Sequence, residues 1–392
     1  DVSKVVDTAG MFYSCSRLSS LKWTNWCISV DLSPTGLTED SIGDLVANLA
    51  IVSDGRTLTL NNNLADYLKD ADIVGASIKG WVITPSTTIE FVNIKASDNI
   101  DEIGDSTTKI CAVELTSSNR ATRLNNVVTQ FTACDELYLY DNESVTSLEG
   151  LLNETNTYAK SKITKLSTIP GYFINNTNVS GMFYNCVNLT SLNLNSFVTS
   201  KVTHTTNMFR GCSNLVSVDV GGWDTSNVVS LGAMFGGCSK LTSLDVSEWD
   251  LSTAVDLQYM FQNCTALTTI SLPNFEEISG SSGCQYLLSF TSGSNNYITS
   301  FSFPKLKVLT ANQALGYCFA YRTALQSISF PALKTDSFGS PNKNQFYNMV
   351  QGITGCTIHF PSNLQTTISG LNGYPNFGGT NTVLAFDLPA TS

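Results

Sequence analysis

A Met-Phe dipeptide recurs at a fixed interval of 26 residues in the middle of the chain. Each copy is followed, after two further residues, by a cysteine, and the cysteine is followed, after two more, by a leucine. Self-similarity at a fixed period is typical of repeat architectures, in which each unit buries its apolar face against its neighbours. The four pairs are Met182-Phe183, Met208-Phe209, Met234-Phe235 and Met260-Phe261.

Each of these leucines opens the pattern L-x-x-L-x-L-x-x-aromatic. The L-x-L pair has period two, so both side chains point to one face of a short strand. One turn cannot bury that face alone, whereas stacked turns bury a continuous core and pair their strands in parallel. We therefore predict a leucine-rich-repeat-type right-handed solenoid with a parallel β-sheet of about a dozen short strands and helical or 3-10 turns, at MF-xx-C, on the opposite wall. The four copies are Leu189/Leu192/Leu194/Phe197, Leu215/Val218/Val220/Trp223, Leu241/Leu244/Val246/Trp249 and Leu267/Ile270/Leu272/Phe275.

The period is less regular on both sides of this section. Residues 38–49 predict a helix with an apolar stripe, residues 64–68 a second short helix, and residues 383–386 a last strand. The divisions that follow are an N-terminal repeat truncated mid-repeat (1–37), longer helix-containing repeats (38–84), degenerate repeats (85–180), regular 26-residue repeats (181–275), looser repeats (276–360) and a C-terminal cap (361–392).

The repeat unit resembles that of the BspA-like leucine-rich repeat proteins. The nearest copies are Met208 to Val228 (MFRGCSNLVSVDVGGWDTSNV) and Met234 to Ala254 (MFGGCSKLTSLDVSEWDLSTA). Members of that family are mostly surface or secreted proteins of gut and oral bacteria, certain protists, and phages of such bacteria. The resemblance therefore implies an extracellular binding surface, and it supplies no catalytic residues.

The charge balance argues against several classes of partner. The chain has 21 basic and 32 acidic residues, a formal net charge of −11. Affinity for phosphate groups needs clustered Lys and Arg, so neither nucleic acid nor an anionic membrane surface is expected as a partner. No stretch of the sequence approaches the roughly 20 apolar residues of a membrane span, so membrane insertion is not expected either.

The eleven cysteines do not have the spacing of a metal or disulfide framework. Cys186, Cys212, Cys238 and Cys264 recur at one place of the repeat and should point the same way, whereas a disulfide needs facing Cβ vectors. There is no CxxC pair, and only His204 and His359 could assist metal binding. We expect small buried thiols, no metal and no cofactor; the redox state stays open.

The outward positions of the strands are the candidate binding surface. Hydroxyl, amide and carboxylate groups there suit hydrogen bonding to a sugar or a polar peptide, although any soluble solenoid shows such polar columns. Asp219 and Asp245 could also share a cation or raise each other's pKa, but an open sheet offers few further ligands. Asp224 and Asp250 are better suited to capping turns. The candidate ligand-binding residues are Tyr138, Tyr140, Asn193, Asp219 and Asp245.

No nucleophile, phosphate-binding or metalloprotease motif is present, so we expect no enzymatic activity. The leading hypothesis is a non-enzymatic recognition or adhesion module at a bacterial cell surface, which binds host glycan or protein through the strand face. One alternative is a phage tail-fibre or receptor-binding component of a virion. Another is a purely structural spacer.

Residues 1–5 (DVSKV) align with residues 224–228 (DTSNV), which lie inside a repeat. A solenoid cut at this point would expose an apolar end and an unpaired strand edge. We therefore expect further repeats of the same chain, or neighbouring subunits, to contact the N-terminal end.

Overall fold

The structure is a computed structural model in which two compact units are distinguished. The first unit comprises Asp1–Thr116, Thr129–Glu143 and Leu166–Phe173, and the second Ser117–Val128, Ser144–Lys165 and Ile174–Ser392. The structure describes residues 8, 10–23, 26, 29–50, 56–60, 68, 75–79, 81–84, 91–94, 110–115, 136–141, 147–151, 164–168, 175–194, 197–272, 274–278, 283–291, 297–334, 336–338, 345–369 and 377–390.

The described strands of the first unit pair only in parallel. One sheet has the order β1-β2-β3, and β4, β5, β6 and β7 follow one another in a second run of pairs. Consecutive strands that pair in parallel are the expected result of stacking one turn of chain on the next. The strands are β1 (Val30–Asp31), β2 (Arg56–Thr59), β3 (Trp81–Thr84), β4 (Phe91–Ile94), β5 (Ile110–Leu115), β6 (Glu136–Asp141) and β7 (Lys165–Thr168).

The helix predicted near residue 38 is confirmed as α1, Glu39–Ala47. Its apolar stripe is buried, as are Leu58 of β2 and Trp81 of β3. The buried Lys79 ammonium donates a hydrogen bond to the carbonyl of Ala47, 2.6 Å away, at the C-terminal end of α1. Burial lowers the pKa of Lys79, and the carbonyl acceptor at a helix C-terminus compensates part of the desolvation. The second predicted helix lies outside the described residues, apart from Leu68, which is buried.

The second unit continues the same parallel pairing. β8 pairs with β9, β10 with β12, and the remaining strands form a sheet of order β11-β13-β14-β15. A 3-10 turn, Ser362–Leu364, and a short helix α2, Gln365–Ser369, follow β14. The last strand was predicted and is confirmed as β15. The strands are β8 (Ser191–Asn193), β9 (Ser217–Val218), β10 (Glu277–Ile278), β11 (Ser300–Ser302), β12 (Val308–Leu309), β13 (Ser327–Ser329), β14 (Thr357–Pro361) and β15 (Val383–Leu388).

The opposite wall of the regular repeats consists of turns, and the described part of this wall contains no continuous helix. Alternate N–H groups donate within the turn, as Cys186 does to the carbonyl of Phe183 at 3.1 Å. The others donate to the next repeat, as Phe183 does to the carbonyl of Met208 at 2.8 Å. The bonds within the turn join residues three apart, but they are not consecutive and residues with positive φ interrupt them, so the wall has β-turns in place of the predicted helical or 3-10 turns. The bonds between turns add a second ladder, which an α-helix could not provide.

Columns of identical side chains fill the space between the two walls. Phe209 stacks on Phe183 and on Phe235, with ring centroids 5.5 and 5.2 Å apart, and all three are buried. The column cysteines are buried, as predicted, and three of them also donate hydrogen bonds to the backbone. The Cys238 thiol donates to the carbonyl of Phe209, 3.1 Å away in the preceding repeat. The fold class is thus the predicted leucine-rich-repeat-type parallel β-solenoid.

Candidate functional site

Three of the candidate ligand-binding residues form an exposed column on consecutive repeats of the second unit. Asn193 ends β8, Asp219 directly follows β9, and Asp245 takes the same place one repeat later, where the chain has no assigned strand. Each carboxylate is held by its own turn. Asp219 Oδ1 accepts from the N–H of Gly221 at 3.2 Å, and Asp245 Oδ1 accepts from the N–H of Ser247 at 3.0 Å. These turn bonds fix the direction in which the column faces the solvent.

The carboxyl group of Asp245 does not have the raised pKa that is expected for one member of a pair sharing a proton. The backbone N–H and the side chain of Ser247 donate to Asp245, and these bonds lower the pKa of its carboxyl group. The expectation that Asp219 and Asp245 raise each other's pKa is therefore wrong for Asp245. Both side chains are exposed, and the carboxylates give the column a negative charge.

Tyr138 and Tyr140 are not on the surface, and the prediction that they face solvent is wrong. Both lie on β6 in the first unit and are only 3% and 2% exposed. Their neighbours Leu137 and Leu139 are buried as well, so β6 is covered on both faces. A parallel strand buried on both faces has no polar side, and the alternation rule does not apply to it. The exposed column thus keeps three of the five candidates.

The strand face continues into the last strands of the second unit with a different chemistry. Ser329 Oγ donates to Ser302 Oγ at 2.8 Å, and the next residue along the same row is His359 on β14. His359 Nδ1 lies 2.9 Å from both carboxylate oxygens of Asp387. A carboxylate can only accept, so Nδ1 of His359 is the donor in this contact.

Sequence analysis did not pair His359 with an acid. The pairing could have been found from the alternation of side chains along β15. Ala385 is aligned with His359, and Asp387, two residues further, lies on the same face of the strand. The pair ties β14 to β15 at the end of the solenoid. The half-buried imidazole and the exposed carboxylate form a small charged feature in an otherwise hydroxyl-rich row.

Asp224 and Asp250 cap turns, as predicted. Asp224 Oδ1 accepts from the N–H and from the hydroxyl of Ser226, at 3.1 and 2.6 Å, and Asp250 Oδ1 accepts from the N–H of Ser252 at 2.9 Å. These bonds stabilise the ionised form and lower the pKa of both carboxyl groups. The two aspartates therefore have a structural role directly after the tryptophans of the repeat.

A second row of polar side chains lies on the turn wall, and sequence analysis missed it. Tyr259, Tyr286 and Tyr317 stand directly before the apolar pair of three consecutive turns, and we call them the tyrosine ladder. Adjacent ring centroids are 4.9 Å apart in both steps, with interplanar angles of 9° and 1°. Tyr347 packs edge-on against Tyr317 at one end of the ladder, and the centroids of these two rings are 5.5 Å apart. All four side chains are half-buried.

Carboxamide and hydroxyl groups flank the ladder. Gln258 Nε2 donates to Gln285 Oε1 at 3.1 Å, and Asn348 Nδ2 donates to the hydroxyl of Tyr317 at 3.1 Å. Partial desolvation and the neighbouring phenols raise the pKa of Tyr286. The Tyr286 phenol therefore stays neutral at physiological pH, and its hydroxyl group can both donate and accept hydrogen bonds.

Arg322 occupies the place of the column cysteine in the third of these turns. It is 1% exposed, its guanidinium carbon lies 4.0 Å from the centroid of the Phe290 ring, and its Nε donates to the carbonyl of Leu288. Burial lowers the pKa of Arg322 to about 10. Nη1 and Nη2 find no acceptor among the described residues. A cation at the place of the column cysteine departs from the repeat pattern, and this departure was not predicted from the sequence.

Two classes of feature are absent from the described part of the chain. No three or more His, Cys, Asp or Glu side chains lie together in a way that could hold a metal ion. None of the described helices has the length and apolar character needed to cross a membrane.

Comparison with known families gives two matches. Residues 257–370 match the BspA type leucine rich repeat region in 6 copies. Residues 177–299 match the family described as Mycoplasma protein of unknown function, DUF285. No curated protein matches the chain. The family resemblance drawn from the MF-xx-C repeats is confirmed, and repeats of this type indicate a surface or protein-interaction module.

Proposed function

Because residues 257–370 are BspA-type leucine-rich repeats, we propose that this protein is a non-enzymatic recognition module that binds a partner outside the cell. The contact surface is the exposed strand face of the second unit, centred on Asn193, Asp219 and Asp245. Binding there anchors a cell surface to a host or a neighbouring cell through repeated weak contacts.

The observation that carries this proposal is the column of fixed acceptors. A 26-residue period brings the amide of Asn193 and the carboxylates of Asp219 and Asp245 to the same place of successive turns. The turn hydrogen bonds of both aspartates hold the column in one conformation before a partner arrives. Such preorganisation reduces the conformational entropy that is lost on binding.

The charge of the column favours a protein partner. Carboxylates pair best with the guanidinium and ammonium groups of Arg and Lys, and Arg can bind them bidentately. The formal net charge of −11 adds a long-range attraction to basic surfaces and repels anionic ones. A basic patch on an extracellular protein is therefore the expected counterpart, and a glycan is the alternative outcome of the test.

The test compares two variants with the same change in charge. Asp219→Asn/Asp245→Asn removes both column carboxylates, whereas Asp224→Asn/Asp250→Asn removes two turn-capping carboxylates of the same repeats. Asn can retain the capping bond in all four places, so both variants should fold. Binding to an array of immobilised extracellular-matrix proteins and glycans is measured at two salt concentrations.

We expect the column variant to lose about tenfold in affinity for its array partner, and the capping variant to change little. Higher salt should weaken the binding of the unmodified protein, because exposed charges are screened. Equal binding by both variants, or a loss of the same size in both, would rule out the strand face as the contact surface.

A further inference from the structure

We propose that the tyrosine ladder is a second binding site, on the wall opposite the strands, and that its ligand is an uncharged polysaccharide. The ladder comprises Tyr259, Tyr286 and Tyr317, with Tyr347 edge-on at the Tyr317 end. The site is independent of the strand face and of any partner bound there.

The backbone at these places is unfavourable for tyrosine. The residue before the apolar pair has a left-handed conformation in each turn, with φ of 59° at Tyr259, 57° at Tyr286 and 53° at Tyr317. A side chain other than Gly, Asn or Asp costs about 1–2 kcal/mol in this region. Bulky residues at positive φ are outliers, and outliers of this kind concentrate at functional sites.

The fold itself does not require tyrosine there. In the preceding repeats the same place is taken by Gly181, Asn207 and Ala233, with φ of 59°, 58° and 52°. Those repeats stack equally well, because the inner phenylalanine column and the backbone ladder hold them together. A row of three large aromatic side chains on the outside is thus an addition to the repeat.

The described part of the wall around the ladder is mostly polar and carries few charges. The turns 256–264, 283–291, 312–323 and 345–353 contain two charged residues: Asp256, whose Oδ1 accepts from the N–H of Gln258 at 2.9 Å, and Arg322, which is buried. Glutamine, asparagine, serine, threonine and tyrosine supply the remaining polar groups. In a chain with a net charge of −11, such a low density of charge favours an uncharged ligand over a charged one.

The stacked geometry favours a carbohydrate over a peptide. Proline-rich peptides dock in grooves lined by aromatic residues, but in the ladder the rings cover one another's faces and present their edges and hydroxyl groups. With the carboxamides of Gln258 and Gln285 beside them, these groups form a dense row of donors and acceptors. Sugar hydroxyls are the matching partners. Tyr259 ends the ladder, since Ala233 takes its place in the preceding repeat, and its outer ring face is suited to stack on a sugar ring.

Affinity electrophoresis tests the proposal with defined probes. The protein migrates through native gels that contain hydroxyethyl cellulose, mixed-linkage β-glucan, galactomannan or mannan, and through gels that contain anionic alginate. The triple variant Tyr259→Asn/Tyr286→Asn/Tyr317→Asn keeps the charge, and Asn already occupies this place at Asn207. Asn207→Ala is the matched control at the same place of a repeat without a tyrosine.

We expect at least one neutral polysaccharide to retard the protein and the Asn207→Ala control, and alginate to have no effect. The triple variant should bind about tenfold more weakly or not at all. Asp219→Asn/Asp245→Asn should be retarded as strongly as the unmodified protein, which separates this site from the strand face.

Three results would overturn the proposal: no retardation of the unmodified protein in any neutral gel, equal retardation of a folded triple variant, or retardation by alginate of the same strength. Should the asparagine variant not fold, the triple Tyr→Phe variant at the same three positions keeps the stacked rings and lacks only the hydroxyls. We expect it to lose most of the binding, and full binding by this variant would also contradict the proposal.

Discussion

The repeats at 181–264 and those at 283–353 share one backbone plan and differ in what occupies it. In the first region each place of the turn repeats its residue type: Phe in the inner stack, Cys in the thiol column, and Gly, Asn or Ala at the left-handed place of every turn before that of Tyr259. In the second region Arg322 stands in the thiol column and tyrosines stand at the left-handed place. The hydrogen bonds between turns are nevertheless formed in both regions.

The difference separates what the fold needs from what the fold merely tolerates. The first region shows the residue that each place prefers on physical grounds, so it serves as an internal reference for the second. A departure that costs conformational energy and faces solvent, such as Tyr286, is a candidate for function. A departure that faces the core, such as Arg322, is instead expected to change the stability of the fold through packing and desolvation.

The largest change in stability is expected for a substitution that interrupts the phenylalanine column of the regular repeats. Phe235 is fully buried between Phe209 and Phe261, so Phe235→Ala should lower the free energy of unfolding by about 3–5 kcal/mol. Urea denaturation followed by tryptophan fluorescence measures this. A loss below about 1 kcal/mol would mean that the phenylalanine column does not hold the repeats together.

The thiol column should make the protein sensitive to alkali. Burial raises the pKa of Cys264 to about 12, whereas a thiol in the unfolded chain has a pKa of about 8.5. Below pH 8.5 the thiol is neutral in both states and its burial contributes fully. Above that pH the unfolded state loses the proton first, so stability falls by about 1.4 kcal/mol per pH unit and by about 2 kcal/mol at pH 10. Urea titrations at several pH values should show a smaller slope for Cys264→Ala, and an unchanged slope would contradict this.

Arg322→Met tests whether the buried cation stabilises the second region. Methionine has a similar length and no charge, and replacing a buried charge with an apolar side chain is often neutral or stabilising. Because Nη1 and Nη2 have no acceptor among the described residues, we expect the free energy of unfolding to rise by about 1 kcal/mol. A clear loss of stability, measured by thermal unfolding, would show that the guanidinium and the Phe290 ring contribute more than the desolvation costs.

The smallest effect is expected for Tyr286→Asn. The variant loses ring stacking on both sides and gains a residue that tolerates the left-handed conformation, as Asn207 does. The two contributions have opposite signs, so the free energy of unfolding should change by less than about 1 kcal/mol. A much larger loss would mean that the ladder is needed for the fold and would remove one reason for assigning it a function.

Most of the fold could be predicted because each turn repeats the same few contacts. The 26-residue period placed the Phe, Cys and Leu columns in the core, and the structure buries them. The strands near Asp245 were predicted and are not formed, since that extended segment has few bonds between turns; Thr242 N–H donates to the carbonyl of Val216 at 3.3 Å. Side-chain packing holds this segment in place. The spacing of apolar residues predicts which side chains are packed in the core better than it predicts which backbone groups are hydrogen-bonded.

The candidate site was only partly predictable. Period two assigned Asn193, Asp219 and Asp245 to the outside, where they are exposed, because one wall of a regular turn faces water. The same rule failed for Tyr138 and Tyr140, which are buried on a strand that is covered on both faces. Exposure depends on what packs over a strand, and the local pattern carries no information about that.

The sequence by itself determined the solenoid, the composition of its core columns and the burial of the column cysteines, since all three follow from one period. The tertiary structure decided the neighbours across turns of unequal length. Tyr259, Tyr286 and Tyr317 are 27 and 31 residues apart and still stack at 4.9 Å, and His359 meets Asp387 across the last two strands. The backbone ladder joins successive turns across repeats of unequal length, so residues that no fixed period relates become adjacent.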